Sequence, residues 1–254
     1  MAADLLAILG RGIQKLKADA PNEDISSWVL TEDLEVCDER SAHLPVRVPV
    51  DDSSPHCMVG GGDLNLTAGL ELIVDLRPRI VVCAYGDRSD YLKSINGPTE
   101  SEVMSSELGR RLVASPHLAS SLPYKMKPGI VVWPRSRSIT GPSNTGQEIR
   151  NIFDLALDEE MNDVALVTVG VHAPRTWTYV GKNQSRDTKY QSLSVRLFDS
   201  EEVLLKADYE KYAPRVDALR KSQSFARNWE REAIGISKIV RDVYGDAKPK
   251  VESK

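Results

Sequence analysis

The chain has 254 residues, of which 41% are hydrophobic and 28% charged, and its net charge is −4 at pH 7. This balance predicts one large α/β domain with terminal extensions, without the positive field that would recruit nucleic acid or an anionic membrane surface. We expect neither a signal peptide nor a membrane helix, since no stretch approaches about 20 apolar residues, and therefore a cytoplasmic protein.

The first 55 residues are predicted to form an N-terminal helix followed by an extended lead-in rich in Pro, Asp and Ser. Within residues 3–18, five apolar residues recur at helical intervals. They are Leu5, Ile8, Leu9, Ile13 and Leu16.

Residues 56–200 alternate short apolar runs with helical patterns. The strands are predicted at 56–59, 79–84, 129–133, 163–169 and 194–198, and the helices between them at 66–76, 99–113 and from about 144. This alternation is typical of a Rossmann-like open, mostly parallel sheet with helices on both faces.

Residues 201–245 are predicted to form C-terminal helices that pack on the domain, and residues 246–254 a disordered tail. In the last helix, five apolar residues share one face that would dock on the core: Phe225, Trp229, Ala233, Ile236 and Val240. Its charged side, from Arg227 to Arg241, is either a solvated face or a surface for a partner.

The three cysteines, Cys37, Cys57 and Cys83, are widely spaced and form no CxxC pair. They indicate buried, reduced thiols. No HxxxH, DxD or zinc-like spacing occurs, so no metal site is predicted.

Glycines 60–62 follow the apolar run at 56–59 and precede a helical pattern. Gly60, Gly61 and Gly62 would let the backbone approach a phosphate or ribose, and Asp63 could reach a ribose hydroxyl or an amino group. A tight structural turn explains the same glycines. Asp87, in the loop after the next strand, either faces the ligand crevice or lies in a solvated turn.

Two helix starts carry polar side chains that a ligand could use. Thr99 and Glu102 have the spacing of a capping box, which leaves Glu100 to project toward the crevice. Asn144 and Thr145 begin the next helix, where a cap and an anion cradle are both compatible with the residues.

His172 and Arg175 follow the apolar run 164–169 directly. Residues beyond the carboxyl end of a buried parallel strand line the ligand crevice of open α/β folds. Histidine titrates near neutrality and arginine binds oxyanions in a bidentate fork, so this pair is the strongest functional candidate.

In this order, the glycines at 60–62, the Thr-Glu-Ser-Glu-Val-Met start at 99–104, Asn144-Thr145 and Thr168-x-x-x-His172-x-x-Arg175 resemble the YdcF/SanA/ElyC family across residues 56–180. Pro142 and Val169 replace serines of the family pattern, and Gln147-Glu148 replaces its Glu-Asn. The resemblance implies a Rossmann-like sheet with its pocket at the carboxyl ends of the strands. Some members bind S-adenosylmethionine, which makes this the cofactor that the resemblance suggests.

These observations lead to the hypothesis of a protein that binds a nucleotide-like or phosphorylated small molecule. Arg175 would neutralise charge, and His172 with Glu100 would transfer protons. The alternatives are a phosphoester hydrolase or transferase, which needs a nucleophile or a metal, and a non-catalytic interaction module.

Overall fold

The computed structural model describes residues 3–37, 46–86, 88–114, 129–131 and 144–241. The strands within these ranges are β1 (Leu5–Ile8), β2 (Ile13–Lys15), β3 (Trp28–Leu30), β4 (Leu34–Val36), β5 (Cys57–Val59), β6 (Ile80–Cys83), β7 (Gly129–Val131), β8 (Asp163–Thr168) and β9 (Ser194–Asp199). The α-helices are α1 (Gly62–Leu76), α2 (Asp90–Ser94), α3 (Glu100–Ala114), α4 (Thr145–Asp158), α5 (Ala173–Arg186), α6 (Ser200–Ala207), α7 (Tyr209–Lys221) and α8 (Gln223–Val240).

Five strands form a parallel sheet in the spatial order β7-β6-β1-β8-β9. Hydrophobic residues of α1, α3, α6 and α7 pack on one face, and those of α4 and α5 pack on the other. The last helix, α8, contributes Phe225 to the first cluster and Ile239 to the second. The predicted α/β class, with helices on both faces and C-terminal helices packed on the domain, is confirmed.

The predicted N-terminal helix is wrong, because residues 5–8 are β1, the central strand of the sheet. Leu6 and Ile8 contact one hydrophobic cluster, whereas Leu5 and Ala7 contact the other. A strand buried on both faces is apolar at every position, and such a short run also satisfies helical spacing. The sheet therefore begins well before residue 56.

The run at 56–59 does form a strand, but this strand is outside the main sheet. β5 pairs antiparallel with β4, and β2 pairs antiparallel with β3, so that residues 13–59 add two small hairpin-like sheets beside the domain. The three cysteines are buried free thiols, as predicted.

The buried face of α8 differs from the predicted one. Trp229 is 43% exposed and Val240 is 71% exposed. The stripe that faces the protein instead contains three polar residues, Ser224, Asn228 and Glu232, together with Gly235 and Ile239. The helix is turned this way because its polar residues bond to the domain. Asn228 Oδ1 accepts the N–H of Val59, and Ser224 N–H donates to Asp52.

Candidate functional site

The order of the sheet defines one switch point, where the direction of strand addition reverses. Numbered along the chain, the five strands lie in the order 3-2-1-4-5, which reverses between β1 and β8. Ligands of open α/β sheets bind outside the carboxyl ends of the strands at this switch point. Here those ends continue into the loop Leu9–Gly12 and into the turn Val169–His172.

The loop after β1 contains Gly10, Arg11 and Gly12, and two carboxylates from other elements hold its backbone. Glu100, at the start of α3, accepts through Oε1 the N–H groups of Arg11 at 2.6 Å and Gly12 at 2.5 Å. Glu148, in the first turn of α4, accepts the N–H of Gly10 at 3.1 Å. Gly12 has φ 99°, a conformation that favours glycine. Successive backbone N–H groups that bind anions form a nest, and here the side chains of Glu100 and Glu148 accept these N–H groups.

Burial and the nearby charge of Glu100 raise the pKa of Glu148 to about 8. Hydrogen bonds from the backbone of Gly10 and Tyr85, and the charge of Arg11, oppose this shift only in part. Glu148 is therefore a neutral acid at pH 7 and can donate a proton there.

Arg11 is the central cation of the site. Its Nε donates to the carbonyl of Gly60 at 2.9 Å, and Nη2 donates to the carbonyl of Val59 at 3.0 Å. Its positive charge also acts on Glu148, His172 and Glu232. Sequence reasoning missed Arg11 because it assigned the preceding strand to a helix. The pattern that could have indicated Arg11 is Gly10-Arg11-Gly12, which directly follows the apolar run 5–9.

His172 lies between two partners. Its Nδ1 is 3.1 Å from Glu232 Oε1, and its Nε2 is 3.1 Å from Thr145 Oγ1. Since a carboxylate only accepts, Nδ1 carries the proton and Nε2 accepts the hydroxyl of Thr145. Burial, with the charge of Arg11, lowers the pKa of His172 to about 4 despite the hydrogen bond to Glu232. The ring is a neutral base at pH 7.

Glu232 comes from α8, sixty residues after His172. Burial opposes its ionisation, but the hydrogen bond with His172 and the charges of Arg11 and Arg175 hold the pKa of Glu232 below its usual range. Arg175 Nη1 lies 3.6 Å from Glu232 Oε2. Glu232 was not predicted. No local pattern indicated it, because Glu232 shares its side of the helix with Ser224 and Asn228 and lies outside the apolar face that the sequence predicts to be buried.

The backbone of Gly60–Gly62 does not form the predicted anion cradle. The N–H groups of Gly60 and Gly61 donate to the carbonyls of Asp33 and Glu32, and that of Gly62 donates to Thr31 Oγ1. These glycines are instead needed for close packing, since a Cβ on Gly60 would lie 2.4 Å from the carbonyl oxygen of Glu32. The structural-turn alternative therefore accounts for them.

The carboxylate of Asp63 also bonds to other side chains of the protein. It bonds to Arg111 of α3 and, through Oδ2 at 2.7 Å, to Arg215 of α7. The three residues line a cavity of about 1150 Å³ beside Trp28. Among the described residues that line this cavity, Glu100, Thr145 and His172 do not occur. Asp63 thus lies apart from the site around His172.

We expect Asp63→Ala to lower the free energy of unfolding by about 2 kcal/mol, because two arginines lose their shared carboxylate. This loss of stability is smaller than the loss expected for a fully buried ion pair, because the side chains of Asp63 and Arg215 are 29% and 30% exposed. Urea denaturation measures it. Glu202→Ala, which removes the partner of Arg220 in a pair with 64% of the glutamate exposed, is the control and should cost less than about 1 kcal/mol. Equal costs for the two variants would contradict the structural role of Asp63.

Both predicted helix starts are confirmed. The N–H of Thr99 donates to Glu102 Oε2 at 2.7 Å and the N–H of Glu102 to Thr99 Oγ1 at 3.0 Å, which completes the capping box. Asn144 Oδ1 accepts the N–H of Gln147 and caps α4. Asp87 and the tail 246–254 lie outside the described residues.

Of the residues that the sequence nominated, the structure brings together Glu100, Thr145, His172 and Arg175. Arg11, Glu148 and Glu232 complete the group, so that seven polar or charged side chains from six segments surround the switch point. Gly60 contributes only a carbonyl to this group.

None of the helices in the described part of the chain combines the length and the hydropathy that a membrane crossing requires. Within the same ranges, no three His, Cys, Asp or Glu side chains are grouped so that they could ligate a metal ion. Comparison with protein-family models, with curated proteins and with solved structures returns no match to the chain.

Proposed function

We propose that this protein binds a small anionic molecule, phosphorylated or nucleotide-like, outside the carboxyl ends of β1 and β8, and that His172 transfers a proton there. The observation that carries the proposal is the neutral His172, held between Thr145 and Glu232 beside Arg11 at the switch point. A buried base with two assigned partners is typical of a functional site rather than of a packed core.

Two features favour an anionic ligand. Arg11 supplies a guanidinium in the Gly10–Gly12 loop. In addition, α4 begins at Thr145, which bonds His172, so the positive end of the helix dipole lies beside His172. Glu100 occupies the N–H groups of the loop, so a bound phosphate would compete with a carboxylate that already marks this backbone as an anion site.

The resemblance to the YdcF/SanA/ElyC family supports the same location. Glu100, Thr145, His172 and Arg175 of its pattern lie at this site, whereas glycines 60–62, which match its glycine-rich loop, follow β5 outside the main sheet. Under this proposal, S-adenosylmethionine is one candidate ligand, and a phosphoester is the other.

The test is thermal unfolding of the full chain with S-adenosylmethionine, adenine nucleotides, sugar phosphates and inorganic phosphate. A ligand at a hundred times its Kd adds about 2.7 kcal/mol to the free energy of unfolding, which raises Tm by about 5–10 °C in a chain of this size. We expect this rise with at least one of the anions, and its loss in Arg11→Met, which keeps the length of the side chain but removes the charge.

Arg47→Met is the matched control. Arg47 pairs with Glu32 on the surface and lines the separate cavity beside Trp28. This variant should keep the full ligand-induced rise in Tm. The proposal is refuted if no anion raises Tm, or if Arg47→Met abolishes the rise and Arg11→Met does not.

A further inference from the structure

Thr145, His172 and Glu232 form a continuous chain of hydroxyl, imidazole and carboxylate. The two distances are 3.1 Å from Thr145 Oγ1 to His172 Nε2 and 3.1 Å from His172 Nδ1 to Glu232 Oε1. The three residues come from the start of α4, the turn after β8 and the middle of α8. This is the connectivity by which a base activates a hydroxyl nucleophile while a carboxylate orients the base.

Each member is in the state that this chemistry needs. His172 is 4% exposed and neutral, so Nε2 holds a lone pair toward the hydroxyl of Thr145. Glu232 is 6% exposed and ionised, so it fixes the Nδ1–H tautomer and would stabilise an imidazolium. Thr145 itself is only partly buried.

The start of α4 also carries donors next to that hydroxyl. The first N–H groups of a helix have no intrahelical acceptor. Asn144 accepts those of Gln147 and Glu148, which leaves those of Thr145 and Gly146 with no acceptor among the described residues. Paired backbone N–H groups beside a nucleophile can stabilise the oxyanion of a tetrahedral intermediate.

We propose that Thr145 is a nucleophile and that this site hydrolyses a carboxylic ester of an anionic molecule, an inference that rests on the proposed function. Thr145 Oγ1 bonds to the ester carbonyl carbon while its proton moves to His172 Nε2. The tetrahedral intermediate then expels the alkoxide, which takes the proton from His172 and leaves as an alcohol. Water attacks the acyl-threonine, gives a proton to His172 and releases the acid, and the proton returns to Thr145.

The experiment treats the full chain with a fluorophosphonate probe, which labels hydroxyls activated by a histidine, and measures hydrolysis of p-nitrophenyl acetate in parallel. Intact mass and peptide mapping locate the adduct. We expect a single adduct on Thr145, its loss in Thr145→Val and in His172→Gln, and its retention in Thr145→Ser. Ester hydrolysis should fall at least about 100-fold in Thr145→Val and at least about tenfold in Glu232→Gln.

Thr178→Val is the matched control, since it removes a helical threonine hydroxyl that donates to the carbonyl of Pro174 rather than to His172. It should leave labelling and hydrolysis unchanged. An unlabelled wild-type chain, an adduct on another residue, or full hydrolysis by Thr145→Val overturns the inference. Thr145→Ser keeps the hydroxyl, so loss of labelling in a folded Thr145→Ser variant also overturns it.

The two proposals fail separately. Stabilisation of the wild-type chain by an anion without an adduct would refute the nucleophile and leave anion binding intact. An adduct on Thr145 without stabilisation by any anion would refute the anionic ligand and leave the nucleophile intact.

Discussion

Glu148→Gln is expected to be more stable than the wild-type chain above pH 8 and as stable near pH 4. The folded state raises the pKa of Glu148 to about 8 from an ordinary value of 4.5. A raised pKa contributes stability that is complete below pH 4.5 and is lost as the pH rises through about 8. The loss is on the order of 4 kcal/mol, and a neutral glutamine of the same shape does not incur it.

Urea denaturation of both chains at pH 4.5, 7 and 9 measures this difference. Glu159→Gln is the control, because Glu159 lies exposed at the other end of α4. It should change the free energy of unfolding by less than about 0.5 kcal/mol at each pH. A Glu148→Gln variant that loses stability at pH 9 would show that the ionised carboxylate supports the Gly10–Gly12 loop.

His172 should produce the opposite dependence on pH. Burial and Arg11 lower its pKa to about 4 from 6.5, so its contribution to stability is complete above pH 6.5 and is lost as the pH falls through about 4. Between pH 7 and pH 4, the difference in free energy of unfolding between wild type and His172→Gln should shift by about 3 kcal/mol in favour of the variant. Denaturation at pH 7, 5.5 and 4 follows this shift.

His56→Gln serves as the comparison, because the side chain of His56 is exposed. Its difference from wild type should stay within about 0.5 kcal/mol over the same range. If His172→Gln keeps a constant difference at all three pH values, then the pKa of His172 is the same in the folded and the unfolded chain, and the site lacks the buried neutral base that the proposal requires.

Local hydrogen bonds explain why parts of the site could be predicted from sequence. The cap at Asn144 and the reciprocal pair Thr99–Glu102 join residues three apart, so spacing alone indicates them. The location of His172 after a buried strand was equally readable, since an apolar run of that length ends where the crevice of a parallel sheet begins.

The partners of these residues could not be predicted in the same way. Arg11 was not predicted because a strand buried on both faces lacks the alternation of apolar and polar residues that would distinguish it from a helix. Glu232 could not be predicted because α8 has an apolar stripe that is a plausible docking face. Only the contacts of Ser224, Asn228 and Glu232 with the domain make the polar stripe the buried one.

The amino-acid sequence by itself determined the α/β class, most of the elements of the sheet and the polar residues at their ends, because periodicity and capping are properties of neighbouring residues. Only the tertiary structure decided which strand is central, which loop binds carboxylates and which residue orients His172. These three features depend on contacts between segments separated by about sixty to more than a hundred residues. The burial of a charged side chain, likewise, is decided by the residues that pack around it rather than by its neighbours in the chain.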